Sequence, residues 1–223
     1  MVVHERHVAP SILAADLARL EAEVREVMAA GARVIHVDVM DGHFVPPITV
    51  GALVVAALRD ALPDEAYLDC HLMVERPELQ VEEFARAGAD GITVHAEATP
   101  HVHRVLTAIR DAGCRAGLAV TPSTPLGVFG EVRDALDLAL CMTVNPGWGG
   151  QRLIPGTLDK VRGLRELVGA PFPVEVDGGV DARSAPACAD AGASWFVAGS
   201  AIFAADDPAA AFREIGRAVG AAG

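Results

Sequence analysis

The feature that most restricts what this chain can fold into is an eightfold alternation of short apolar runs and longer helix-periodic stretches. Strand-like segments are predicted at 8–13, 32–40, 67–74, 91–95, 115–120, 138–144, 173–177 and 194–199. Helix-like segments follow them at 17–30, 48–62, 78–87, 101–112, 126–136, 155–168, 182–191 and 208–219, several stopped by a glycine (Gly31, Gly88, Gly113, Gly192). Gly127 and Gly130 weaken the fifth of these helices. Strands that alternate with helices make a parallel sheet, because each crossover returns the chain to the same end. Eight such units in 223 residues fit a closed (β/α)8 TIM barrel somewhat below the usual size. No linker, repeat break or low-complexity tract divides residues 1–223, so one barrel domain is expected.

Composition then removes function classes. A net charge of −12 with a single lysine, Lys160, gives no basic face for a phosphate backbone, so no nucleic-acid partner is expected. No apolar run reaches a membrane span, and Met1 to His7 lacks the apolar stretch of a secretory signal, which points to a cytoplasmic protein without a membrane partner. Cys70, Cys114, Cys141 and Cys188 are far apart and never form C-x-x-C; they read as buried free thiols.

In a (β/α)8 barrel the chemistry collects where the strands end. His36, Asp38 and Met40 fall on one face of the second strand, since alternate residues of a strand share a face. His71 ends the third strand and Asp177 the seventh. Two imidazoles and two carboxylates at one mouth would form a nitrogen–oxygen site for one divalent ion per subunit, and zinc, Fe(II), Mn or Co would all suit it. Glycine-rich turns follow the last three strands: Gly147-Trp148-Gly149-Gly150, Gly178-Gly179 and Gly199-Ser200. Glycine lets successive backbone N–H groups converge on an anion, and this edge of the barrel is where such folds hold phosphate. Met40, Met73 and Met142 lie near strand ends, where methionine is ordinarily core filler. His4, His7, His43, His101 and His103 read as surface, loop or helix residues, and His95 as structural. Glu175, two residues deeper than Asp177, reads as part of the barrel layer beneath the site.

Six segments together resemble the ribulose-phosphate 3-epimerase family over essentially the whole chain. They are residues 9–16, 36–46, 71–74, 143–151, 176–180 and 198–203. Pro47 stands where that family often has Asn, and Trp148 where Phe is usual. The resemblance implies a cytoplasmic homo-oligomeric isomerase of the pentose phosphate pathway that interconverts D-ribulose 5-phosphate and D-xylulose 5-phosphate. It implies two-base proton transfer at C3 by Asp38 and Asp177, through a metal-stabilised cis-enediolate. The same two aspartates, with His36 and His71, would hold the metal. Ser11 and His71 would contact the sugar, the three methionines would line the intermediate, and the glycine turns with Trp148 would bind the phosphate end.

Two rivals remain at the level of sequence. A 3-epimerase of a six-carbon ketose phosphate such as allulose 6-phosphate could use the same acid pair and metal. A non-catalytic sugar-phosphate binding protein would keep the glycine turns but has no use for the aspartates and histidines. Related decarboxylases and synthases carry a D-x-K-x-x-D strand end, and a Schiff-base aldolase needs an inward lysine; the only lysine here is expected on an outer helix.

Overall fold

A computed structural model of the chain describes residues 5–170 and 172–221. Its eight strands are β1 (His7–Pro10), β2 (Val34–Met40), β3 (Tyr67–Met73), β4 (Gly91–His95), β5 (Arg115–Val120), β6 (Leu138–Met142), β7 (Val174–Asp177) and β8 (Trp195–Ala198). Each pairs in parallel with its neighbour from β2 round to β8, and β8 pairs with β1. The ring closes between β1 and β2 through one parallel bridge, Ser11 with His36. Helices α1 (Leu20–Ala29), α2 (Ala52–Ala61), α3 (Val81–Arg86), α4 (Val102–Asp111), α5 (Gly127–Glu131), α6 (Thr157–Val168), α7 (Ala185–Asp190), α8 (Ser200–Phe203) and α9 (Pro208–Val219) occur between and after the strands. This is the (β/α)8 barrel that the alternation implies.

Strand parity sorts the side chains into two cores. Outward residues such as Val37, Val39, Leu68, Cys70, Ile92 and Leu118 pack with helix residues including Val24, Val55, Phe84 and Leu106 in one continuous shell. Inward residues Ala9, Val34, Ala119, Leu138, Leu140, Trp195 and Val197 fill the barrel itself. Trp195 meets Tyr67 edge-on at 5.6 Å and His7 at 5.4 Å, so three strand starts plug the lower mouth. Above this plug the barrel interior holds the buried polar groups His36, Asp38, Asp69, His71 and Glu175. All four cysteines are buried and free, and burial pushes the Cys141 thiol up to about 12 and Cys188 to about 11.

The element boundaries differ from the sequence expectations where local polar chemistry intervenes. β1 stops at Pro10 because the Ser11 hydroxyl accepts from the Leu13 N–H and turns the chain into a short 3-10 segment. α2 begins after Gly51, not at Ile48, since Ile48 pairs with Asp41 in an antiparallel bridge. The expected helix over 126–136 is a single α-turn followed by a 3-10 turn. The four-residue α8 was not expected at all. His7 is in β1, half-buried against Trp195, and is no surface residue; His4 lies outside the described residues.

Candidate active site

β2 and β3 set the floor of the upper mouth. Their register places His36 beside Asp69, Asp38 beside His71 and Met40 beside Met73, all inside the ring. Asp177 arrives from β7, in register with Met142 and Val197. His36 Nε2 lies 3.3 Å from Asp38 Oδ1, which lies 3.3 Å from His71 Nδ1, and that nitrogen is 3.4 Å from Asp177 Oδ2. The four ligand atoms all fall within 4.8 Å of one another. Arms of zinc-ligand length around a tetrahedral ion leave ligand atoms about 3.4 Å apart, so the spacing fits.

The orphaned atoms test the same fit. Among the described residues, His36 Nε2, Asp38 Oδ1 and His71 Nδ1 are buried without a hydrogen-bond partner, whereas the opposite atoms of these side chains are engaged. Asp38 Oδ2 accepts from the Ser11 hydroxyl at 2.5 Å, and His36 Nδ1 is 2.7 Å from Asp69 Oδ2. Polar atoms are costly to leave unpaired in a core. Three of them turned to one point make a cradle for a cation, and these residues fit a divalent ion.

Charge is concentrated accordingly. Burial opposes a charge on His36, but Asp38 and Asp69 outweigh it and raise the imidazole well above its usual value. Burial likewise opposes charge on His71, and its contacts with Asp177 and Asp38 raise it. Against the burial penalty, His36 and His71 hold the Asp38 carboxyl far below the usual range. Below them Glu175 is fully buried, with Oε1 3.6 Å from His36 Nδ1; burial and the neighbouring Asp69 push its carboxyl well upward. Glu175 therefore belongs to the layer beneath the site.

The glycine turns line the same pocket as Ser11, Asp38, Asp177 and the three methionines. Gly178 and Gly179 have φ of 116° and 68°. A Cβ on Gly178 would sit 2.2 Å from Val144 Cγ2, and one on Gly179 2.2 Å from the Leu153 backbone nitrogen. The Thr143 hydroxyl donates to the Asp177 and Gly178 carbonyls, at 2.9 and 2.5 Å, and so fixes this turn. Gln151 Nε2 donates to the Asn145 and Trp148 carbonyls and braces the other loop. Trp148 stands on the rim with 59% exposure. Pro46 and Pro47 pack against Gly147, so both departures noted in the sequence border one loop.

Two residues gain importance in three dimensions. His95, read from sequence as structural, is buried with its ring stacked on His71 at 5.0 Å, and Glu97 lies beyond it. Burial lowers the His95 imidazole to about 4. Glu97 falls to about 2: the donors around its carboxylate outweigh its burial. The signal was the parity of β4, where His95 shares the inward face of Gly91 and Thr93.

The ribulose-phosphate 3-epimerase family model matches residues 7–203. The chain belongs to the ribulose-phosphate 3-epimerase family. It is 47% identical over 212 residues to the ribulose-phosphate 3-epimerase of Bacillus subtilis, covering 93% of this chain and 97% of that one. It is 50% identical over 199 residues to the ribulose-phosphate 3-epimerase of Escherichia coli K12, covering 88% of each. Among solved structures, the KGPDC of Streptococcus mutans superposes with a TM-score of 0.77 at 20% identity, covering 96% of this chain and 97% of that one. A 3-hexulose-6-phosphate synthase does so with a TM-score of 0.70 at 24% identity, covering 96% and 99%. These structures share the (β/α)8 barrel. No helix among the described residues is long and apolar enough to cross a membrane.

Proposed function

We propose that Asp38 and Asp177 are the two acid–base groups with which this chain interconverts D-ribulose 5-phosphate and D-xylulose 5-phosphate. The chain is an isomerase, a metal-dependent C3-epimerase acting on a pentose phosphate. The observation that carries the assignment is the meeting of these carboxylates, from β2 and β7, at one cluster that is also walled by the glycine turns.

Inverting C3 takes a proton from one face of the sugar and returns one to the other. A single carboxylate cannot reach both faces, so two are required, one acting as base and the other as acid. Asp38 enters the mouth beside β3, and Asp177 from β7 across the ring, with β1 and β8 between β7 and β2. Ser11 steadies Asp38 by donating to Oδ2, which leaves Oδ1 turned to the centre. Met40, Met73 and Met142 line the pocket and are buried, keeping water from the planar intermediate. Gly147 to Gly150, Gly178-Gly179 and Gly199-Ser200 hold the phosphate through backbone N–H groups, and Trp148 covers that end. His36, His71, Asp38 and Asp177 would hold one divalent ion, with zinc the best match to a compact nitrogen–oxygen set. When bound, the ion supplies positive charge beside the oxygens on which negative charge develops as the C3 proton leaves. Residues 1–223 act as one catalytic domain, and subunits of it associate as a homo-oligomer, which light scattering tests.

The deciding experiment follows solvent deuterium into C3 with Asp38→Asn and Asp177→Asn, metal content being measured alongside. Each variant is expected to lose epimerisation yet still bind sugar phosphate. One should retain exchange only on ribulose 5-phosphate, the other only on xylulose 5-phosphate. Turnover like wild type in either variant, or exchange of both epimers by one, would remove the assignment.

A further inference from the structure

His71 continues, away from the metal cluster, into a chain of polar groups that the epimerisation does not use. His71 Nε2 lies 2.9 Å from His95 Nε2, and His95 Nδ1 lies 3.2 Å from Glu97 Oε2. Glu97 Oε1 accepts from the Thr121 backbone N–H at 2.8 Å and from the Thr124 hydroxyl. The loop carrying those threonines is gripped by Lys160, whose ammonium donates to the carbonyls of Thr121 at 3.1 Å and Thr124 at 2.5 Å. Both imidazoles are fully buried.

These contacts dictate where the ring protons sit. A carboxylate only accepts, so the His95 nitrogen facing Glu97, Nδ1, carries hydrogen. Only one proton fits between the two facing Nε2 atoms. If His71 supplies it, His95 Nε2 is the bare acceptor and His71 Nδ1 keeps its lone pair. Nδ1 is the atom that faces Asp38 and Asp177. We propose that His95 and Glu97 are positioning residues for the metal centre, holding His71 in the tautomer and orientation that offer Nδ1 to the ion. Asp69 serves His36 in the same way with the nitrogens exchanged: it takes Nδ1–H and leaves Nε2 for the ion. This rests on the metal site put forward above.

The arrangement makes an unusual demand on substitutions. In Glu97→Gln the amide oxygen keeps the Thr121 and Thr124 donors, which turns the NH2 towards His95 Nδ1. That nitrogen must then accept, so His95 Nε2 carries the proton and His71 Nε2 becomes the acceptor. The displaced hydrogen arrives on His71 Nδ1, the ligating atom. Glu97→Ala removes the acceptor without imposing the reversed pattern. The isosteric variant should therefore damage metal binding more than the truncation, the opposite of what a purely packing role gives.

The test measures zinc affinity by competition with a chromophoric chelator for wild type, Glu97→Gln and Glu97→Ala. It is paired with long-range proton–nitrogen NMR of zinc-loaded, histidine-labelled wild type. The expected results are a His95 protonated on Nδ1 and bare on Nε2, a loss of about tenfold or more in zinc affinity for Glu97→Gln, and a smaller loss for Glu97→Ala. A His95 protonated on Nε2, wild-type affinity in Glu97→Gln, or a weaker Glu97→Ala than Glu97→Gln would overturn the proposal. If Glu97→Ala does not fold, the spectrum and the Gln variant still decide. Wild type that binds no zinc would strike down the metal reading itself, and the relay with it.

Discussion

Asp38 and His71 face each other across β2 and β3, and their nearest atoms, Oδ1 and Nδ1, are 3.3 Å apart with no hydrogen-bond partner for either among the described residues. A fold that buries two such atoms side by side stores a desolvation cost that a cation repays. Metal should therefore stabilise the fold as well as support turnover. Protein dialysed against a chelator is expected to lose activity and melt at a lower temperature, and added zinc to restore both. At a hundredfold excess over its dissociation constant, a ligand specific to the folded state contributes about 2.7 kcal/mol. Calorimetry with and without zinc checks this; unchanged melting together with full activity in metal-free protein would contradict it.

Ser11 joins two roles that usually fall to different residues. It forms the only bridge between β1 and β2 among the described residues, and its hydroxyl donates at 2.5 Å to Asp38 Oδ2. Ser11→Ala keeps the backbone bridge and removes the hydroxyl. A buried hydrogen bond to a charged acceptor contributes roughly 1.5–3 kcal/mol, and a loss of that size in urea unfolding is expected. Asp38 would also lose its orientation, so kcat should fall more than KM rises. A variant with wild-type stability and kcat would show that the contact is idle.

How much was legible beforehand follows from which signals are local. Strand parity puts His36, Asp38 and Met40 on one face without any knowledge of their neighbours, and β4 and β5 have the ends expected from their apolar runs. The glycine turns were readable because positive φ leaves a trace in residue type. Cross-strand register is not local. That His36 would meet Asp69, or that His95 would stack on His71, depends on how strands slide past one another. Hence His95 reads as structural from sequence, and nothing local singles out Glu97. α8 was missed because four residues are too few to show a period, and His7 was misplaced because its partner Trp195 is 188 positions away.

Gly179 marks the narrowest backbone approach in the Gly178-Gly179 turn. Its φ is 68°, and a methyl group there would lie 2.2 Å from the Leu153 nitrogen, which is backbone and cannot rotate aside. Gly179→Ala is expected to cost at least about 2 kcal/mol, from left-handed strain plus displacement of the 151–153 segment. KM for the sugar phosphate should rise steeply in whatever fraction folds. Urea titration and steady-state kinetics check both. Unchanged stability would mean that the two segments separate more easily than their contact implies.

Glu97 gives a pH dependence whose sign can be worked out. Burial alone would raise its carboxyl, but donation from His95, the Thr121 N–H and the Thr124 hydroxyl prevails and brings it from 4.5 to about 2. A carboxylate depressed on folding stabilises the protein above its unfolded value, and that contribution drains away as pH falls through the window. Between pH 4.5 and about 2 the unfolded chain thus binds more protons at this position than the folded one. Stability should rise with pH there, by up to about 1.4 kcal/mol per unit for one proton. Glu97→Gln has nothing to titrate, so its stability should fall less steeply on acidification. The comparison is urea unfolding of both proteins from pH 5 to pH 3, in chelator so that proton–metal competition does not intervene. Wild type is expected to lose part of its advantage over the variant as pH drops, and parallel curves would mean that the Glu97 carboxyl is not held down by its donors.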